Sequence, residues 1–181
     1  MTAKLFAVYL GGRAPRASIE LHDMVFVAGD SIEDCHGQIL DKWFGTPGRV
    51  HIDSWLELDI VDGWKVELTK AAVPQKEKLF FVNLGAYNGI DFTELHAVSF
   101  HVAAEEPHAK AAALARHFTG GVTEPHKDDV LDVDDCIAID SINGLCVKLT
   151  RTNAVSANKP SNRYQSIPKP VIAAWLAKKH L

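Results

Sequence analysis

The amino-acid sequence predicts an α+β fold, made by tandem duplication of a ββαββ unit with mainly antiparallel sheet. Three observations predict it. First, Lys4-Leu5-Phe6-Ala7-Val8-Tyr9-Leu10-Gly11 recurs as Lys78-Leu79-Phe80-Phe81-Val82-Asn83-Leu84-Gly85, an offset of 74. Second, the same offset carries Glu20-Leu21-His22 onto Glu94-Leu95-His96 without a gap, and Phe26 and Phe44 onto Phe100 and Phe118. Third, after an insertion the offset becomes 81, and Asp53, Asp59, Gly63, Val66 and Leu68 meet Asp134, Asp140, Gly144, Val147 and Leu149. Chance does not hold one register this long, and a fixed period marks a repeated structural unit. The first repeat is read at residues 1–70, a linker with Pro74 at 71–77, the second repeat at 78–150 and a basic tail at 151–181.

Within each repeat the first strand, Leu5–Leu10, is apolar on both faces, so it is covered on both sides or lies where the two copies meet. A loop follows at Gly11–Glu20, and at Gly85–Glu94 in the second copy. The second strand runs near Leu21–Ala28, with His22, Met24 and Phe26 on one face because side chains alternate. Ser31 and Asp34 then form a capping box that opens a helix. Ile32, Cys35, Ile39, Leu40, Trp43 and Phe44 make its apolar stripe, and Gly45 ends it. In the second copy Pro107 fits the first helical turn, and Ala109, Ala113, Leu114 and Phe118 form the stripe up to Gly120. The small alanines predict a helix close to its sheet. Each unit closes with a hairpin. The loop Val61-Asp62-Gly63 pairs Ile60 with Trp64, Leu58 with Val66 and Leu56 with Leu68, which gives a clean apolar face. The same choice in the second copy pairs Ile139 with Val147 and Ile137 with Leu149. Roughly 65 residues alone bury little, so the two units are expected to share a core by pseudo-twofold packing.

The tail carries Arg151, Lys159, Arg163, Lys169, Lys178 and Lys179 and no acid, a charge of +6. The net charge of −4 therefore leaves −10 on residues 1–150. An acidic body has no basic face for nucleic acid, so no nucleic-acid partner is expected. Ser156–Pro170 reads as irregular, and Pro170 opens a last helix with Val171, Ile172, Trp175 and Leu176 on one side. That stripe packs on its own body or docks another subunit. No apolar run approaches the ~20 residues of a membrane span, and the short apolar start reads as a strand, so a cytoplasmic, non-membrane protein is expected. Three cysteines, Cys35, Cys136 and Cys146, without a CxxC indicate neither a disulfide framework nor a zinc ribbon.

Nucleotide-binding, serine-hydrolase and zinc-protease signatures are missing, and the run Asp128–Asp135 lacks the glycine and terminal glutamate of a calcium loop. One polar constellation occurs in both copies. Glu20 and His22 are two apart at the start of a strand, and His51 and Asp53 two apart after the helix. The second copy offers Glu94 and His96, then His126 and Asp128. If the helix runs back along the second strand, Gly45–Val50 delivers His51 beside that strand's beginning, and Glu20, His22, His51 and Asp53 line one pocket. Two imidazoles and two carboxylates suit a divalent metal, general acid–base work, or simple polar packing. No other cofactor is expected. Arg13 and Arg16 add an anion-holding alternative in the first loop.

Leu5-Phe6-Ala7-Val8-Tyr9-Leu10-Gly11-Gly12, Glu20-Leu21-His22-Asp23, His51-Ile52-Asp53-Ser54-Trp55 and His126-Lys127-Asp128-Asp129 resemble a bacterial family built on the domain of unknown function catalogued as 1543, which occurs in one or two copies per chain. The resemblance spans residues 4 to about 149 and leaves out the tail. It implies the duplication and a bacterial source, and no activity. The functional expectation is a small binding or accessory protein that uses the loops and polar clusters, with self-association or a protein partner. The rival expectation is a metal-dependent or acid–base hydrolase or isomerase using His22, His51, Glu20 and Asp53.

Overall fold

The computed structural model describes residues 3–87, 90–117 and 132–179, with the backbone alone at residue 132. The fold is α+β with mainly antiparallel sheet. In the first half β1 (Lys4–Gly12) and β2 (Leu21–Gly29) lead into α1 (His36–Lys42) and β3 (Val50–Glu57), then the short β4 (Ile60–Val61) and β5 (Trp64–Thr69). The second half repeats that order with β6 (Lys78–Ala86), β7 (Leu95–Ala103), α2 (Glu106–His117), β8 (Asp132–Ala138), β9 (Ser141–Ile142) and β10 (Leu145–Arg151). The tail adds β11 (Ser161–Ser166) and α3 (Lys169–Lys179). Two compact units form: Met1–Asp59, Ile142–Leu145 and Val155–Leu181 make one, and Ile60–Ser141 with Cys146–Ala154 make the other.

In the first unit the strand order is β11-β3-β1-β2, all antiparallel. Alternation sends Phe6, Val8 and Leu10 of β1 to one face, where they meet Val25, Val27, Ile39, Leu40, Trp43, Val50 and Ile52 in a continuous core. The expected capping box is present: Ser31 Oγ donates to Asp34 Oδ2 at 2.7 Å, and Asp34 N donates back to Ser31 Oγ at 3.3 Å. It caps a tighter helix than the sequence predicts. Residues Glu33–Cys35 form a 3₁₀ turn, and the α-helix ends at Lys42 because Trp43 turns extended, with ψ 123°. Phe44, expected in the apolar stripe, is exposed. Cys35 is fully buried, and burial pushes its thiol up to about 11.

Two further expectations are corrected here. Ser156–Pro170 is not all irregular, since Ser161–Ser166 adds an edge strand to β3. Its polar sequence hides it from β-propensity, but side chains support the ladder: Ser54 Oγ donates to Asn162 Oδ1 at 2.6 Å and Trp55 Nε1 to Gln165 Oε1 at 3.1 Å. The helix beyond it starts at Lys169, one residue early, and its stripe packs on its own core through Val171, Ile172 and Trp175, with Leu176 left exposed. Trp175 Nε1 donates to Asp41 Oδ1 at 3.0 Å, and Lys179 pairs with the same oxygen.

In the second unit β7-β6-β8 form a sheet covered by α2, and Ala109 and Ala113 are fully buried against Phe80, Val82 and Leu84. β5 pairs antiparallel with β10. The hairpin register differs from the sequence reading. Val61 pairs with Trp64 and Ile60 with Lys65, so the loop is Asp62-Gly63, with φ of 49° and 75°. Both residues being left-handed is the turn whose twist matches its strands. The apolar-face argument fails because it assumed one continuous strand. The β3 ladder ends at Glu57 and Leu58 N donates to Leu5 O at 2.9 Å, so alternation restarts at Ile60. Asn143 and Gly144 repeat the turn with φ of 51° and 76°, and Val147 N donates to Asp140 O, which displaces the expected pairing of Ile139 with Val147.

The tip of the first hairpin is clasped by a partly buried polar array. Asp62 Oδ2 lies 3.1 Å from His101 Nδ1, Val102 N donates to the same oxygen, and His101 Nε2 lies 3.1 Å from Ser99 Oγ. The order carboxylate, imidazole, hydroxyl matches that of a nucleophile relay. Ser99 and His101 are both buried, however, so the array holds the hairpin to β7.

Candidate functional site

The first-repeat cluster is built around Gly11, near the end of the central strand β1. Cross-strand pairing places His22 of β2 on one side of Gly11 and His51 of β3 on the other. Glu20 lies two residues before His22, and Asp53 two after His51. The β1–β3 register shifts between Tyr9 and Leu10: Leu10 faces Ile52, Tyr9 faces Ser54, and Asp53 is the extra residue of a β-bulge. A bulge re-aims a side chain, and here Asp53 reaches back over Gly11. Glycine is required there by close approach. A Cβ on Gly11 would lie 2.5 Å from Asp53 Oδ2, 2.5 Å from His51 Nε2 and 3.2 Å from Glu20 Oε1.

All four side chains singled out from the first repeat come together. His22 Nε2 lies 3.7 Å from Glu20 Oε1 and 3.5 Å from Asp53 Oδ2, while His51 Nε2 lies 3.5 Å from Glu20 Oε1 and 3.2 Å from Asp53 Oδ1. Glu20, His51 and Asp53 form the tightest set, each offering an atom within 4.8 Å of the others. His51 is buried and Asp53 partly so, whereas Glu20 and His22 are about 40% exposed and open the cluster to solvent. Asp53 Oδ2 is buried without a hydrogen bond. Two tyrosines flank the imidazoles: Tyr9 stacks on His22 at 5.3 Å, and Tyr164 of β11 packs against His51 at 4.4 Å with its ring tilted by 36°. Burial, and then the Asp53 charge, raise the Tyr9 hydroxyl above its ordinary value, so it keeps its proton at neutral pH.

The second repeat builds a related cluster on Gly85. His96 of β7 is its neighbour on one side, and the backbone of Asp132 holds the place of His51 on the other. His96 Nε2 lies 3.4 Å from Glu94 Oε2 and 3.5 Å from Asp134 Oδ2. A Cβ on Gly85 would lie 2.5 Å from Glu94 Oε1 and 2.7 Å from Asp134 Oδ2. The register shifts between Asn83 and Leu84, so Asp134 is again the bulged residue. His126 and Asp128, the expected partners of Glu94 and His96, lie outside the described residues. Asp134 takes the place of Asp53, and the offset of 81 already aligned the two; the His-x-Asp spacing at 126–128 drew attention elsewhere. Gly11, Gly85 and Tyr164 were not singled out for the site. A bulge and a strand edge supplied by a polar tail leave no periodic signal.

Tetrahedral coordination with bonds of about 2.0–2.2 Å spaces ligand atoms about 3.3–3.6 Å apart. The four imidazole–carboxylate separations in the first cluster, 3.2–3.7 Å and reaching both oxygens of Asp53, fall around that range. Two imidazoles and two carboxylates are the donors of zinc and of first-row metals such as manganese or iron. The second cluster, with one imidazole and two carboxylates, offers a harder set.

Among the described residues no helix is long and apolar enough to cross a membrane. No curated protein matches the chain. The family model described as Domain of Unknown Function (DUF1543) matches residues 17–68, which holds Glu20, His22, His51 and Asp53. Among solved structures the chain is similar to the protein Il1583 from Idiomarina loihiensis. The two are 33% identical with a TM-score of 0.72, over 92% of this chain and 99% of that one. Likeness across nearly the whole of both chains, with the family match inside the first repeat, shows that this chain belongs to the DUF1543 family.

Proposed function

We propose that this is a divalent-metal-binding accessory protein, and that Glu20, His22, His51 and Asp53 hold the ion. The observation that carries the reading is the buried Asp53 Oδ2, which has no hydrogen bond and sits with His51 Nε2 over the bare Cα of Gly11. A buried carboxylate oxygen left unbonded costs about 1–3 kcal/mol or more, and a cation offsets that cost. The spacing of the donors supports the same reading. The second half is read as a diverged copy of the family domain, on the strength of its identical element order, its glycine and its bulged aspartate. Its Glu94, His96 and Asp134 make a weaker site. Soluble self-association or a protein partner fits an accessory role.

One observation favours an enzymatic variant of this reading. Glu20 and His22 leave one side of the cluster half-exposed, so a bound ion would keep a position for water. Such an ion would serve a hydrolase or isomerase with Glu20 as the acid–base group.

The test is elemental analysis of untagged protein purified without chelator, followed by equilibrium dialysis against zinc, manganese and cobalt. The parent is expected to hold about one ion tightly. His51→Ala should lower the affinity at least about 100-fold, more than an outer partner costs. His22→Ala and His96→Ala, made as separate single variants, distinguish the two clusters. A parent that retains no divalent ion under any of these conditions overturns the proposal and leaves the cluster as polar packing.

A further inference from the structure

We infer that the metal end of the first repeat binds a small oxyanion, a carboxylate or phosphoryl group, held jointly by the ion and a rim of arginines. This inference rests on the metal reading above. The chain has six arginines, and four of them belong to this end by position. Arg13 follows Gly12 on β1, and Arg16 lies in the same loop. Arg49 precedes Val50, the partner of Gly12. Arg163 adjoins Tyr164, whose ring packs against His51. Two residues of extended chain span about 7 Å, so Arg13 and Arg49 start that far from Gly11 and His51.

All four side chains are exposed. Among the described residues none has a carboxylate partner, whereas Lys4, Lys65, Lys148 and Lys179 each do. Arg13 donates only to the Ser18 carbonyl, at 3.2 Å. Arg16 is held in the left-handed region at φ 70°, rare for a residue with a side chain. A divalent ion would neutralise the two site carboxylates, Glu20 and Asp53, and leave four guanidinium groups at this end of the unit. A group of like charges with no acidic partner focuses a positive field on the metal's open side. Guanidinium forks match the oxygens of carboxylates and phosphates. The second repeat has Tyr87 and Ile90 at the offset positions of Arg13 and Arg16, so the rim belongs to the first site alone.

The experiment uses the full chain loaded with cobalt, whose visible spectrum reports its ligands. Inorganic phosphate and succinate are titrated separately, and cobalt retention is measured in parallel by dialysis. One of the two anions is expected to shift the spectrum with a saturable midpoint, and the tighter one identifies the ligand class. Arg13→Gln with Arg49→Gln should raise that midpoint about tenfold or more, the loss of a charge-assisted hydrogen bond. The anion-free spectrum and the cobalt affinity should stay as in the parent. Cobalt retained with no response to either anion overturns this inference alone, as does an unchanged midpoint in the arginine variant. A chain that retains no cobalt overturns both, because the anion is placed on the metal.

Discussion

Gly11→Ala is the sharpest perturbation of the donor cluster, because it adds one carbon where the ligand atoms converge. The backbone at Gly11 accepts alanine, since only Gly63 and Gly144 among the described glycines have positive φ. The new Cβ would lie 2.5 Å from both Asp53 Oδ2 and His51 Nε2, and real Cβ atoms keep at least 3.0 Å from such neighbours. Both donors must therefore retreat by about 0.5 Å, more than twice the ~0.2 Å tolerance of a metal bond. His51 is buried, so it cannot swing aside freely. The expected loss in metal affinity is at least about 100-fold, or about 2.7 kcal/mol. Overpacking costs about 1–3 kcal/mol, partly offset by the ~0.5–1 kcal/mol gained on replacing an ordered glycine. The net cost of about 0–2.5 kcal/mol should lower the metal-free melting temperature by at most about 10 °C. With ion at about 100 times the parent's Kd the parent gains about 2.7 kcal/mol, worth about 5–11 °C for a chain of this size, and the variant gains at most about 0.4 kcal/mol. Scanning calorimetry with and without zinc reads both quantities. Gly48→Ala is the control, since a Cβ there meets nothing within 4 Å. A Gly11→Ala protein that binds zinc within about threefold of the parent would refute the placement of the site.

Two further outcomes test the packing within each unit. Hydrogen bonds from His101 and Val102 outweigh the upward push of burial and hold the Asp62 carboxyl below its ordinary value. The stabilisation this gives is present above the unfolded carboxyl's value, 3.8, and is lost as pH falls through the lower folded value. Asp62→Asn should therefore cost about 1 kcal/mol at pH 7, discounted because the carboxyl is partly exposed, and nothing near pH 2; equal melting shifts at both pH values would contradict it. Trp175→Ala should cost about 2 kcal/mol, half or so of a fully buried tryptophan, and lower the melting temperature by about 4–8 °C. Limited proteolysis should then cut first in the tail, and an unchanged cleavage pattern would show that the α3 contact does not anchor it.

The legible part of the fold was what periodicity and self-similarity carry. The apolar run of β1, the Ser31–Asp34 box and the buried face of α2 each follow from local spacing, and the offset of 74 located their second copies. The convergence of Glu20, His22, His51 and Asp53 was legible only as a conditional of chain direction, a helix returning along β2 and a short loop delivering β3 beside that strand's beginning. The illegible part depends on interruptions. A break at Leu58 reset the alternation and changed the hairpin register. A bulge opposite Tyr9 lifted Asp53 out of its ladder, and its repeat at Asn83 identified Asp134 only once the pairing was known. β11 owes its strand to side-chain partners on β3, which no property of Ser161–Ser166 announces.

The two halves share one order of helix and strands but differ beside one strand. The shared members of the two clusters differ little: His22 and His96 are 41% and 50% exposed, and Asp53 and Asp134 are 29% and 32% exposed. The difference lies beside β3. There β11 brings Tyr164 against His51, whereas among the described residues β8 has β6 as its only strand partner and Asp132 at the position of the second imidazole. An imidazole can be buried at modest cost when an aromatic ring packs against it. The tail strand therefore does more than cap an edge. It supplies the ring that packs against His51, and among the described residues no such strand flanks the second cluster.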